Sequence, residues 1–225
     1  IDNLIILENT TTFNITDDDN NVLGFSYVSL KDTLNQYKNC GRDLELPSFP
    51  DILGNVKYKI GLFHGSFAKA KLYNGEEIKD DVNIYPLEWI KNSNFDFMLL
   101  GDIHKRQIFN YNNTICGYSG SLIQQNFGED LLEHGFLLWN LENKNVHEIN
   151  VYNNIGYINI KENEYEDILI RQDGKYINKL EDVIKLNLEL FPKNLEIKLF
   201  SKINFYKLNY LLKCFQITFT IISKI

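Results

Sequence analysis

The ten residues Phe95-Asp-Phe-Met-Leu-Leu-Gly-Asp-Ile-His104 set the reading of this chain. Phe95–Leu100 is a short run, apolar except for Asp96, with the composition of a strand buried on both faces of an α/β core. It stops at Gly101, which permits a sharp turn, and Asp102 and His104 follow at once. Polar groups just past the end of a buried strand are where active sites of sheet proteins usually lie. Tyr58–Phe63 reads as a strand that ends at His64, where Gly65 and Ser66 break the pattern. Imidazole and carboxylate together form the donor set for Mn²⁺, Fe²⁺ or Zn²⁺, so His64, Asp102 and His104 are candidate metal ligands. Taken singly, each has a plainer reading, because a lone strand-end histidine is more often structural.

Outward from this segment the pattern alternates between short apolar runs and Asn, Asp and Gly punctuation. Asn3–Glu8, Thr12–Ile15 and Val22–Tyr27 read as strands, Leu30–Tyr37 as a helix and Asp43–Gly54 as a loop. Pro86–Lys91 has proline at a helix start. Gln107–Tyr111 with Thr114–Tyr118, and Gly135–Asn140 with Val146–Val151, read as two hairpins. From Gly156 the texture changes. Lys161–Asp167 looks linker-like; Tyr157–Ile160, Leu195–Phe200 and Gln216–Ile222 read as strands, and Asn204–Cys214 as a core-facing amphipathic helix. The expected division is 1–154 and a small α+β domain over 155–225.

The chain has 225 residues, 44% hydrophobic and 24% charged, which excludes a disordered tail or a disulfide-stapled miniprotein. Lys+Arg 23 against Asp+Glu 30 gives a net charge of -7, so the chain as a whole does not coat nucleic acid non-specifically. Cys40, Cys116 and Cys214 share no metal-like spacing and read as reduced thiols of an intracellular protein. The Asn-x-Thr triplets at Asn9, Asn14 and Asn112 read as products of an Asn-rich composition. No stretch has the length of a membrane span or the form of a signal peptide.

Four segments in order resemble the calcineurin-like metallophosphoesterase superfamily, and within it the SbcD-type nucleases of double-strand-break repair. They are Gly61-Leu-Phe-His-Gly65, the stretch Phe95–His104, Tyr118-Ser-Gly-Ser-Leu-Ile123 continuing to Phe127-Gly-Glu129, and His134-Gly-Phe-Leu-Leu-Trp139. The resemblance runs from about Asn55 to Asn150, and more loosely into a tail resembling the capping domain of those nucleases. It implies an α/β (α+β) fold in which a metallophosphoesterase β-sandwich flanked by helices is followed by a small α+β cap. It also implies two divalent ions, Mn²⁺ first with Mg²⁺ or Fe²⁺ as alternatives, and hydrolysis of DNA phosphodiester bonds. The implied partners are DNA, an SbcC-type SMC-like ATPase and a second copy of the chain as a homodimer, with no membrane.

Residue by residue, His64 matches the family's lone histidine, while Asp102 and His104 fall on its final Gly-His-x-His. Asp102 replaces a histidine there, adding negative charge and favouring a harder ion. The family's upstream Asp-x-His, Gly-Asp and Gly-Asn-His-Asp motifs are missing, and with them the bridging carboxylate and general acid that two-metal cleavage uses. A chain opening at Ile1 without methionine fits a truncated piece, inactive by itself. Lys105, Arg106, Gln107, Ser119 and Ser121 beside the loop are weaker candidates for contacts with DNA phosphates; a solvated rim is their plainer reading. His134 and His147 are expected on hairpin surfaces, and Glu129 as the pin of a turn. Two further functions remain open: a phosphatase or phosphodiesterase acting on small phosphoesters, and a non-catalytic scaffold that binds DNA or a partner.

Overall fold

The computed structural model describes residues 6–32, 49–79 and 84–224. The chain is mixed α+β, with three sheets and few helices among the described residues. The first sheet has six strands: β1 (Thr11–Thr16), β2 (Val22–Val28), β3 (Tyr58–His64), β4 (Phe97–Gly101), β5 (Gln107–Tyr111) and β6 (Thr114–Tyr118), in the order β1-β2-β3-β4-β6-β5. β2, β3, β4 and β6 run parallel, and the two outer strands are antiparallel. Parallel neighbours place all their C-terminal ends along one edge of the sheet, and that edge carries His64 and the residues after Gly101.

Alternation along these strands assigns the two faces. Val28, Phe63, Met98, Leu100, Cys116 and Tyr118 face one core, against Phe67, Tyr85 and α1 (Leu87–Ser93) with its buried Ile90. On the opposite face a two-stranded hairpin, β7 (Gly135–Asn140) and β8 (Asn145–Asn150), packs across β6 and β4. A Cβ on Gly117 would lie 2.7 Å from Leu137 and 2.9 Å from Trp139, so only glycine lets the layers approach this closely. Trp139 meets Phe97 edge-on at 6.0 Å.

The third sheet takes β9 (Ile155–Glu162), β10 (Ile168–Gln172), β11 (Lys175–Lys179), β12 (Asn194–Leu199) and β13 (Thr218–Lys224), in the order β11-β10-β9-β12-β13. α2 (Leu180–Leu186) and α3 (Phe205–Cys214) complete a second core. Asn204 caps α3 by accepting from the backbone N–H groups of Tyr206 and Lys207, and Leu208 and Leu212 are fully buried beneath it. Leu131 belongs to this second core although it precedes the sheet, so the segment after β6 has a foot in both units.

Several expectations change. Lys161–Asp167 is no linker. β9 continues through Glu162, and Asn163 closes a tight turn by accepting from Tyr165 N–H at 3.0 Å and Asp167 N–H at 2.8 Å. β10, β11 and α2, absent from the sequence reading, follow directly, with β10 and β11 joined through Asp173 and Gly174 in left-handed conformation. Phe95 and Asp96 precede β4 rather than form its start. The Asp96 carboxylate instead accepts from Lys59 N–H at 3.0 Å, which is why a polar residue is tolerated there. Of the expected Asn3–Glu8 strand, residues 3–5 lie outside the described residues and 6–8 form no strand; most of Leu30–Tyr37, and Cys40, also lie outside them. Among the described residues no helix is long and apolar enough to cross a membrane.

Candidate functional site

β3 and β4 pair in register His64 to Gly101, which sets the end of one strand beside the end of the other. A Cβ on Gly101 would come within 2.8 Å of His64 Cδ2, so the imidazole lies across the bare glycine backbone. Gly65 N–H donates to Gly101 C=O at 3.2 Å, continuing the pairing one step past the strand. Buried Tyr118 fixes the loop from β3, accepting from Phe67 N–H at 3.0 Å and donating to Gly65 C=O at 2.8 Å. Desolvation holds its phenol far above the ordinary range, so it stays a protonated donor.

Beyond Gly101 the chain turns through Asp102, at φ 95, a region unfavourable to a residue with a side chain. Its carboxylate accepts a hydrogen bond from Ser66 Oγ, so it is held toward the β3 loop. Ile103 is buried and anchors the turn. His104, with 47% of its side chain exposed, lies with Nδ1 2.8 Å from Glu129 Oε1. An ionised carboxylate oxygen only accepts, which places a ring proton on Nδ1, so that in the neutral imidazole Nε2 carries the lone pair.

Glu129 is itself buried and heavily bonded. Its Oε2 accepts from Ser121 Oγ at 3.0 Å and Gln125 N–H at 3.1 Å, and its Oε1 from Asn126 Nδ2 at 3.4 Å. His134 extends the cluster, with Nδ1 3.0 Å from Ser121 Oγ and Nε2 donating to Asp130 C=O at 2.7 Å. It is 5% exposed, a correction to its expected surface position: the residues before β7 fold inward under the His104 loop. His147 is exposed on β8, as the sequence suggests. Glu129 does hold a turn, but its contact with His104 links residues 25 apart and no local pattern announces it.

The expected phosphate contacts look different in three dimensions. Arg106 donates from Nη1 to Ile149 C=O at 3.1 Å and from Nη2 to Asn150 Oδ1; its side chain is 4% exposed and ties the loop to β8. Gln107 bonds both the N–H and the C=O of Lys71. Ser121 is buried and occupied by Glu129 and His134. Lys105 pairs with Asp173 across the two sheets. Of that group, Ser119 is partly exposed.

His64, Asp102 and His104 thus lie on one sheet edge, and the donor set fits a metal only in part. His104 offers an outward Nε2 with a carboxylate behind the ring, the usual support of a metal-bound histidine. Asp102 is turned to Ser66, and among the described residues no three His, Cys, Asp or Glu side chains are grouped to hold an ion. These residues alone are an incomplete coordination set.

No protein-family model matches the chain. Over 105 residues, 47% of its length, it is 42% identical to an uncharacterized protein, R555, of Acanthamoeba polyphaga mimivirus, and the match covers 7% of that far longer protein.

Proposed function

We propose that this chain supplies the later strand ends and the cap of a metal-dependent phosphodiesterase acting on DNA, resembling the SbcD-type nucleases. The observation that carries the reading is the support of His104 by Glu129, beside His64 on the neighbouring strand. A buried carboxylate that orients an exposed imidazole is the usual support of a metal-binding histidine. In that role His64 and His104 contribute nitrogen ligands to two divalent ions, Mn²⁺ first, with Asp102 as an oxygen donor once released from Ser66. The ions supply activated water and charge neutralisation at the phosphate. DNA and an SbcC-type ATPase are the corresponding partners.

The test is Mn²⁺-dependent cleavage of linear duplex DNA by the protein, with any coding sequence upstream of Ile1 included. Cleavage that disappears in His64→Ala and His104→Ala supports the assignment. Full cleavage in both variants overturns it.

A second reading, a non-catalytic scaffold that binds DNA or a partner, is favoured by the Asp102–Ser66 bond and by the incomplete ligand set. It expects duplex binding without cleavage at any divalent ion.

A further inference from the structure

At the opposite end of the six-stranded sheet, where β3 and β4 begin, lies a polar cleft of about 360 Å³. Its walls carry Lys57 and Lys59 from the start of β3, Lys91 from α1 and Lys144 from the β7–β8 turn. Four lysines from three separate segments therefore line one cleft in a chain whose net charge is -7. Among the described residues Asp96 is the one carboxylate on the wall; it accepts from Lys59 N–H and pairs with Lys144 Nζ at 3.3 Å. Asp17, outside the wall, also faces Lys57 electrostatically, so two acids against four lysines leave two positive charges over. Asn94, Asn112 and Asn113 line the remainder, adding neutral donors.

We infer that this cleft is a binding site for an oligophosphate, two or more linked phosphate groups, separate from the His64–His104 edge. Lysines repelling one another around open space gain from an anion that fills it, and a single phosphate monoanion would leave part of that charge unmatched. Lysine ammonium groups on flexible stems suit a chain of phosphates, each taken as a point charge, without the fixed fork that arginine imposes. The apolar share of the lining is small, chiefly Val56 and Phe95, so recognition rests on the phosphates. Binding falls with added salt, as ionic contacts at an open site must.

The test is isothermal titration of the 225-residue chain with inorganic triphosphate in EDTA, which removes divalent ions from the other edge. One saturable site is expected, weakened at least tenfold in the Lys91→Gln/Lys144→Gln double variant. Both residues are solvent-exposed, and an unchanged melting temperature confirms the fold. Asp96→Asn keeps an acceptor for Lys59 N–H while removing the opposing charge, and tightens binding. His104→Ala leaves it unchanged. Absence of saturable binding overturns the inference, as does equal affinity in the lysine variants or loss of binding in His104→Ala. Saturation by a single-stranded DNA oligonucleotide but not by triphosphate also overturns it, assigning the cleft to a nucleic-acid track.

Discussion

The Nδ1 of His104 lies 2.8 Å from Oε1 of Glu129, joining a loop at the edge of the first sheet to a buried carboxylate 25 residues later. The ring is thereby fixed in one orientation and one tautomer, with Nε2 directed outward.

Glu129→Gln tests that relationship. The amide keeps the volume but presents a weaker acceptor, so Mn²⁺ affinity should fall about 10- to 100-fold. Ser121→Ala, which loosens Glu129 without touching His104, should weaken it less. Titration of Mn²⁺ followed by electron paramagnetic resonance reads both, and an unchanged affinity in Glu129→Gln would refute the supporting role.

Gly101→Ala tests the other strand end. The added methyl occupies the space 2.8 Å from His64 Cδ2 and displaces the ring, which is exposed and free to swing away. Gly101 has no positive φ, so the backbone carries no penalty. Mn²⁺ affinity should drop about as far as in His64→Ala while the thermal midpoint moves little. A lost fold, or a wild-type affinity, would contradict the packing described.

Asp130 gives a pH dependence. Burial, foremost, raises its carboxyl to about 6, against the N–H of Asp173, which lowers it by donating to both carboxylate oxygens at 3.1 Å. With the folded value above the unfolded one, protonation of Asp130 favours the fold below pH 4, and that contribution is lost as pH rises through 6. Asp130→Asn, which keeps an acceptor, should therefore melt higher than wild type at pH 7.5 but not at pH 4. Equal differences at the two pH values would count against the assignment.

Cys116 and Cys214 should separate in reactivity. Cys116 is fully buried on β6, and desolvation pushes its thiol up to about 12, leaving almost no thiolate at neutral pH. Cys214 is exposed at the end of α3. Iodoacetamide labelling mapped by mass spectrometry should modify Cys214 in the native protein and Cys116 only after denaturation. Native labelling of Cys116 would show that β6 opens.

Which parts were legible follows from the range of the interactions. Strands β2 to β8 and α1 are marked by local apolar runs and by punctuation at Gly65, Asn112 and Gly135, so a linear reading finds them. β10 and β11 escape it because Arg171, Gln172, Asp173 and Lys175 interrupt any simple alternation; pairing of β10 with β9, and of β11 with β10, organises them. The Asp-Gly pair at 173–174 is the one local signal that could have exposed this hairpin. Glu129 was visible only as a turn residue, and Arg106 and Ser121 looked available for phosphate contacts until folding enclosed them.

By itself the sequence determined that one strand ends at His64 and that Asp102 and His104 follow the end of another, because strand propensity and its glycine breaks are local properties. Only the tertiary structure decided that these ends adjoin, that Glu129 orients His104 while Ser66 holds Asp102, and that four lysines from three segments line one cleft at the far edge. Those relations depend on register and packing between segments up to tens of residues apart, and no short window of sequence encodes them.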